Sequence, residues 1–437
     1  MIRDPITMFC YGDFSGRVRG KGIPARDLRR RLEKGIGWTP TNIMITAYGP
    51  IANTPWGPFG DLLLMPDPKS EVYVDFEDGT PPEHFFLSDV VETDLSPWEV
   101  CPRTFLRKSL ERLRAETGLE VVASFEHEFL YSGANERPGD GYALDALRRA
   151  GAYGEVFAAA LDRAGVPVES YMPEYAEAQF EVTVPPADGM TAADRAVILR
   201  EIAQAAAWRL GETVSFAPLP APDKVGNGVH VHISLKDAEG RPVMYDPEAP
   251  HGLSAQGAAF TAGIVRHMPA ITAIAAPSVV SYMRLRPNRW SACWTNLGDR
   301  DREAGVRICP FFATPGASRS SQYNIEYRAA DATANPHLVL ATLINAGLQG
   351  LKEGLPAPSV SDGDPAAMDA AERDSRGIRL LPQSLGEALD ALKADAVASA
   401  WFPPEMLHAY ERFKRGEIDL FEGLDPEEQC RKTMRAH

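Results

Sequence analysis

Apolar and polar positions alternate with period two in four short, widely separated segments of the chain. They are Phe125-Glu126-His127-Glu128-Phe129, Gln179-Phe180-Glu181-Val182-Thr183, Val229-His230-Val231-His232-Ile233-Ser234 and Ile325-Glu326-Tyr327-Arg328. Side chains of a strand point alternately to its two faces. Glu126 and Glu128 therefore share a face, as do His230, His232 and Ser234, and as do Glu326 and Arg328. Carboxylates, imidazoles and a guanidinium turned into a dry core would be costly, because unpaired buried charge is expensive. The pattern predicts strands lining a cavity that holds divalent cations, with the arginine and histidines left for an anionic substrate.

Helical spacing of apolar residues is thin in residues 1–93, which are rich in Gly, Pro and short apolar runs; only residues 26–33 suggest a helix. This part reads as a small, mostly β domain. The Ser96-Pro97 to Cys101-Pro102 stretch marks a boundary. A helix is expected over residues 103–117, where Phe105, Leu106, Leu110 and Leu113 fall on one face. Further helices are expected over residues 142–164, 192–210, 254–275, 335–352 and 385–400. Residues 94–437 then form an α+β domain in which the polar-faced strands carry the chemistry, and rigid elements suit a site that must hold ions.

Bulk properties narrow the partners. A chain of 437 residues with 24% charged residues can bury a large core in two or more domains. Its formal net charge of −15, without a Lys/Arg run, argues against nucleic acid. Five dispersed cysteines (Cys10, Cys101, Cys293, Cys309, Cys430) form no C-x-x-C pair, so a zinc ribbon is excluded and a reducing cytoplasm is expected. No signal-peptide pattern opens the chain, and no stretch reads as a membrane span.

Hard oxygen donors with one or two imidazoles and no thiolate point to Mg²⁺ or Mn²⁺, at least two ions. Paired divalent ions with arginines nearby are the equipment of phosphoryl transfer from ATP, and Arg302 and Arg307 suit the phosphates. Taken singly, each feature has a bland alternative: an amphipathic surface strand for Glu126 and Glu128, a surface arginine for Arg302 or Arg307. No P-loop and no strand-borne G-x-G-x-x-G is present; Gly226-Asn227-Gly228 leads into a strand rather than a helix. The glycine-rich stretch Gly12 to Gly22 reads as a hairpin bearing one functional acid.

Taken in order, these motifs resemble the glutamine synthetase family along almost the whole chain. Asp13-Phe-Ser-Gly16-Arg-Val-Arg19-Gly20-Lys21 is similar to its D-x-x-G-x-x-R-G-K hairpin, and Asp61 to Pro68 to its D-L-x-L-x-P-D-P strand. Glu126-His-Glu128-Phe resembles E-x-E-F, and Glu174 with Gln179-Phe-Glu181 resembles its E…Q-x-E element. Gly226 to Ser234 resembles G-x-G-x-H-x-H-x-S. Asp301-Arg302, Arg307, Glu326-Tyr-Arg328 and Asp331 to Pro336 complete the set.

The resemblance implies an N-terminal β-grasp domain (1–93), a catalytic domain (94–437) of antiparallel strands surrounded by helices, and a homo-oligomer of stacked rings, a dodecamer. It implies one ion on Glu128, Glu174 and Glu181 and a second on Glu126, His230 and Glu326. His232 and Ser234 would lie beside adenine, Arg302 and Arg307 at the ATP phosphates, and Gly226 and Arg328 at the carboxylate substrate. Asp13 would cross a subunit boundary to help deprotonate the amine.

The departures from the family pattern bear on specificity. The family follows N-S-Y-K-R with a P-G-x-x-A-P hairpin that bears a flap acid. Here the stretch Asn288-Arg289-Trp290-Ser291-Ala292 stands instead, with Ala292 aligned to the arginine that grips the glutamate α-carboxylate. Val225 replaces a substrate asparagine, and no tyrosine occurs between Tyr327 and Tyr410, which removes the family's adenylylation site. An ATP-dependent carboxylate–amine ligase is expected, its specificity moved from ammonia to an organic amine. A ligase for another carboxylate, an authentic glutamine synthetase and a non-catalytic ring or sensor are the alternatives.

Overall fold

The computed structural model describes residues 2–437 except Glu136, Asn288, Trp290 and Asp362. Asn288 and Trp290, in the segment that departs from the family pattern, therefore lie outside the described residues. The fold is α+β and contains two sheets. The first has five strands in the order Val18–Pro24, Ile6–Gly12, Glu83–Glu92, Leu62–Val74, Ile36–Trp38. Among the described residues of this part its only α-helix is Leu28–Lys34, as the thin helical spacing foretells.

The second sheet has ten strands. Its main path runs Val360–Ser361, Leu297–Asp299, Val306–Ile308, Ile325–Ala330, Val229–Lys236, Glu120–Tyr131, Gln179–Thr183, Ser170–Pro173. The pairings around the four polar-faced segments are all antiparallel. Behind this sheet the helices Ala255–Ala275 and Pro336–Glu353 pack so closely that a Cβ on Gly263 would stand 2.0 Å from the Ala346 carbonyl oxygen. Glycine is required there by space. Helix Ala255–Ala275 is long and apolar enough to cross a membrane, contrary to the sequence reading, but 83% of its apolar stretch is buried inside the protein.

Most expected helices form within a few residues of their sequence bounds: Pro102–Thr117, Gly189–Arg209, Ala255–Ala275 and Pro336–Glu353. Two break. The stretch over 142–164 divides into Leu144–Arg149 and Gly151–Arg163. The stretch over 385–400 divides at Asp395, whose carboxylate accepts from the amides of Val397 and Ala398 and so starts a new turn. Helices Pro404–Asp419 and Pro426–Ala436 were not expected, although Met406, Ala409, Tyr410, Phe413 and Glu417 carry helical spacing and are buried.

The two sheets are tied through buried charge. Arg103, at the start of helix Pro102–Thr117, donates to Asp67 (2.7 Å) and Asp89 (3.1 Å) of the first sheet and to Asp194 of helix Gly189–Arg209 (2.9 and 3.0 Å). Asp194 also meets His337 Nε2 at 2.8 Å. One guanidinium thus bridges three carboxylates from two sides of the interface, and its removal would leave them without their shared counter-charge.

Candidate active site

Register makes the site. His230 lies directly opposite Glu126, His232 opposite Glu326, Arg307 opposite Glu326 on its other side, and Glu128 opposite Glu181. Residues directly opposite in an antiparallel pair point to the same face. Five strands therefore lay one polar band across the sheet, from Arg307 to Glu181. The band floors a cavity of about 830 Å³ lined by Glu126, Glu128, Glu174, Glu181, Gly226, His230, His232, Arg302, Arg307, Glu326 and Arg328.

Backbone and side-chain bonds fix the carboxylates. Glu128 accepts from the Gly228 amide at 2.7 Å and from Gln179 Nε2 at 3.3 Å. Gln179 in turn donates to the Gly226 carbonyl and to Asn227 Oδ1. Gly226 is a glycine for want of room, since a Cβ would come within 2.2 Å of the Pro218 carbonyl oxygen. Glu126 contacts His230 Nδ1 at 2.7 Å, and Glu174 accepts from the Tyr142 hydroxyl at 2.7 Å. Glu326, almost fully buried, accepts from Arg307 at 2.9 Å and pairs with Arg328.

All six positions that the family resemblance implies as ligands (Glu126, Glu128, Glu174, Glu181, His230 and Glu326) line the one cavity. The tight groups are Glu126-Glu181-His230 and Glu126-His232-Glu326, with ligand atoms all within 4.8 Å of one another. Glu126 belongs to both. Glu128 and Glu174 line the same cavity, with one oxygen of each bonded to the Gly228 amide and the Tyr142 hydroxyl. The donor set of carboxylate oxygens and imidazole nitrogens fits Mg²⁺ or Mn²⁺.

Electrostatics point the same way. Burial and the charges of Glu126 and Glu128 push the Glu181 carboxyl up to about 10. Burial and Glu128 also raise Glu174, against the bond from Tyr142. Burial opposes ionisation of Glu326, yet His230, Arg328 and His232 hold it at about 2. Burial likewise opposes ionisation of Glu126, but bonds to His230 and His232 hold it well below the usual carboxylate range. One end of the band thus lacks positive charge and the other has it from protein groups.

A consequence is measurable. Glu181 keeps its proton in the ion-free folded chain, whereas in the unfolded chain it ionises near 4.5. Below 4.5 both states are protonated, and as pH rises from there towards about 10 this group progressively disfavours the ion-free fold. Binding an ion must displace that proton, so Mn²⁺ affinity should rise by up to about tenfold per pH unit between about pH 6 and 9. Calorimetry in buffers of different ionisation enthalpy reads the released proton. Glu181→Gln should weaken binding and flatten the profile; a flat profile in the unaltered protein would contradict the assignment.

Two expected residues lie elsewhere. Ser234 shares the strand face of His232 but pairs with Val122, beyond the cavity lining. Asp13 is fully buried in its own hairpin, where its carboxylate accepts from the Ser15 amide and hydroxyl, the Arg17 amide and Arg19. Within the single chain this carboxylate is therefore not in the cavity of its own catalytic domain.

The cavity also contains an arginine the sequence reading missed. Arg284, on the short helix Ser281–Arg284, lines it and is buried. Its Nη2 donates to the Ala330 carbonyl at 2.7 Å, and its Nε has no partner among the described residues. The signal was legible: Ser281-Tyr282-Met283-Arg284 matches S-Y-K-R at three positions of four. Ala292 was the wrong counterpart, being buried outside the cavity with φ 55°. Arg289 lines the cavity and donates to the carbonyls of Pro222 (2.9 Å) and Lys224 (3.3 Å). Arg300 lies in a separate groove of about 270 Å³, near Asp299. That groove adjoins the cavity through Cys309, whose Sγ is 3.6 Å from His232 Nδ1.

Residues 4–98 match the glutamine synthetase N-terminal domain and residues 99–431 the glutamine synthetase catalytic domain. A γ-glutamylpolyamine synthetase of Streptomyces coelicolor is 34% identical over 96% of this chain and 91% of its own length. A crystal structure of a novel glutamine synthase homolog is 41% identical, with TM-score 0.92 over 100% of this chain and 99% of that one. GmaS in complex with ADP is 26% identical, with TM-score 0.82 over 99% of this chain and 97% of that one. Spread over both sheets and every strand of the polar band, this likeness shows that the chain belongs to the glutamine synthetase family and is an ATP-dependent carbon–nitrogen ligase.

Proposed function

We propose that the protein joins the γ-carboxylate of glutamate to an organic amine, through an acyl phosphate. The observation that carries the acid is Arg284, a buried guanidinium whose Nε has no partner among the described residues, in the same cavity as Arg328. Two arginines suit a substrate with two carboxylates: Arg284 for the one retained, Arg328 for the one activated. Phosphorylation gives that carboxylate a leaving group, and Arg302, Arg307 and Arg328 counter the charge that develops. Two Mg²⁺ or Mn²⁺ ions held among Glu126, Glu181, His230, His232 and Glu326 would neutralise the nucleotide phosphates. The adjoining groove beside His232 suits the nucleotide base, with Tyr323 and Phe311 in its wall. Glu174, less buried than Glu181, takes the proton from the attacking ammonium in this reading.

Support for an organic amine comes from two sides. No Asp or Glu occurs between Arg284 and Asp299, so no flap acid is available to select ammonium. Relatives in the family include a γ-glutamylpolyamine synthetase. The same reading makes the chain a stacked-ring homo-oligomer of the family type, which sedimentation measures directly. Its five cysteines are all unpaired thiols, in keeping with the cytoplasm. Phosphate release from ATP, measured with glutamate and a panel of amines, should be fastest with an organic amine. Ammonia as the best acceptor, or another acid replacing glutamate without loss, would overturn the reading.

A further inference from the structure

The polar band does not end in a charge. Beyond Glu181 the next residue in register is Met172, on Ser170–Pro173, the terminal strand of the main sheet path. Two aromatic side chains stand at the same end of the cavity. Tyr142 bonds to Glu174, and Tyr175 follows Glu174 directly in the chain. Their segments touch, since a Cβ on Gly141 would lie 3.1 Å from the Tyr175 backbone. In the single chain Tyr142 and Tyr175 are 56% and 61% exposed. Ammonia or methylamine needs no such surface. Glu174 would meet an ammonium group, while the thioether and the aromatic rings offer apolar area to whatever is attached to it.

Resting on the function proposed above, we propose that the amine substrate carries a methylene chain, and that Met172 and Tyr175 are the specificity residues that hold it. The chain would leave the carboxylate cluster past Met172, where the main sheet path ends, and run along Tyr175 towards solvent. An alkyl monoamine and an α,ω-diamine share this feature. They differ only in the far end, which on this path lies outside the cavity.

The test compares methylamine, butylamine and the α,ω-diamine of butane as acceptors for glutamate, in the full-length protein. A half-buried methylene contributes roughly twofold, so the three extra methylenes of butylamine should raise kcat/KM about tenfold over methylamine, mostly through KM. Tyr175→Ala and Met172→Ala should each cut kcat/KM for butylamine by about threefold more than for methylamine, and Tyr175→Phe should restore it. A diamine equal to butylamine supports recognition of the chain alone; a diamine far better than butylamine supports the chain together with its far ammonium. Chain length without effect in the unaltered protein, or a Tyr175→Ala loss equal for every amine, overturns the inference while leaving the γ-glutamyl ligase reading in place. No turnover with any of the three amines and glutamate overturns that reading, and this one with it.

Discussion

Glu326→Ala should abolish turnover and weaken metal-dependent nucleotide binding, whereas Arg328→Ala should leave nucleotide binding nearly intact while activity falls about 10²–10³-fold. The two residues are neighbours on one strand face, but the structure gives them different partners. Glu326 lies opposite both His232 and Arg307, within the ligand group that shares Glu126. Removing its carboxylate takes a ligand from that group and leaves Arg307 and Arg328 without their common counter-charge. Arg328 donates its Nε to the Arg302 carbonyl at 3.1 Å and, once Glu326 binds an ion, has its remaining donors free for a carboxylate. Nucleotide binding by calorimetry with Mg²⁺, alongside phosphate release, separates the cases. Equal loss of nucleotide affinity in both variants would mean that the strand is not divided into a metal end and a substrate end. Glu326→Gln serves as a companion variant, keeping the volume while removing the charge.

Much of this site was legible because strand alternation is local. Glu126, Glu128, His230, His232, Glu326 and Arg328 could be placed on polar faces from their own segments, and all line the cavity. Register is not local. The sequence does not say that His230 faces Glu126 or that Glu181 faces Glu128, so the clustering of polar side chains around Glu126 emerges only from the paired strands. Asp13 shows the same limit in a hairpin. Its turn was foreseen, but its side chain turns inward to cap the turn and meet Arg19. Ser234 has the right face and lies one step too far along it. Tyr142, Met172 and Tyr175 carried no signal, since an aromatic or a thioether in isolation reads as core.

The arginine at position 284 gives the other large expected effect. Arg284→Leu should raise KM for glutamate by about 10² or more, the cost of leaving a buried carboxylate unpaired being about 3 kcal/mol or more. Nucleotide and metal binding should change little, because Arg284 belongs to neither ligand group. The guanidinium is anchored by Nη2 on the Ala330 carbonyl, at the end of the strand that carries Glu326 and Arg328. This bond orients the group without satisfying its charge, and burial with few counter-charges lowers its pKa. An anionic ligand would supply what the protein withholds. Arg284→Lys keeps the charge but loses the fork that matches a carboxylate, so it should recover only part of the loss. A thermal melt of each variant checks that the Ala330 contact is not merely structural. If Arg284→Leu folds normally and its KM for glutamate is unchanged, the retained carboxylate is held elsewhere, and Arg289, tied to the carbonyls of Pro222 and Lys224 on the same wall, becomes the residue to replace next.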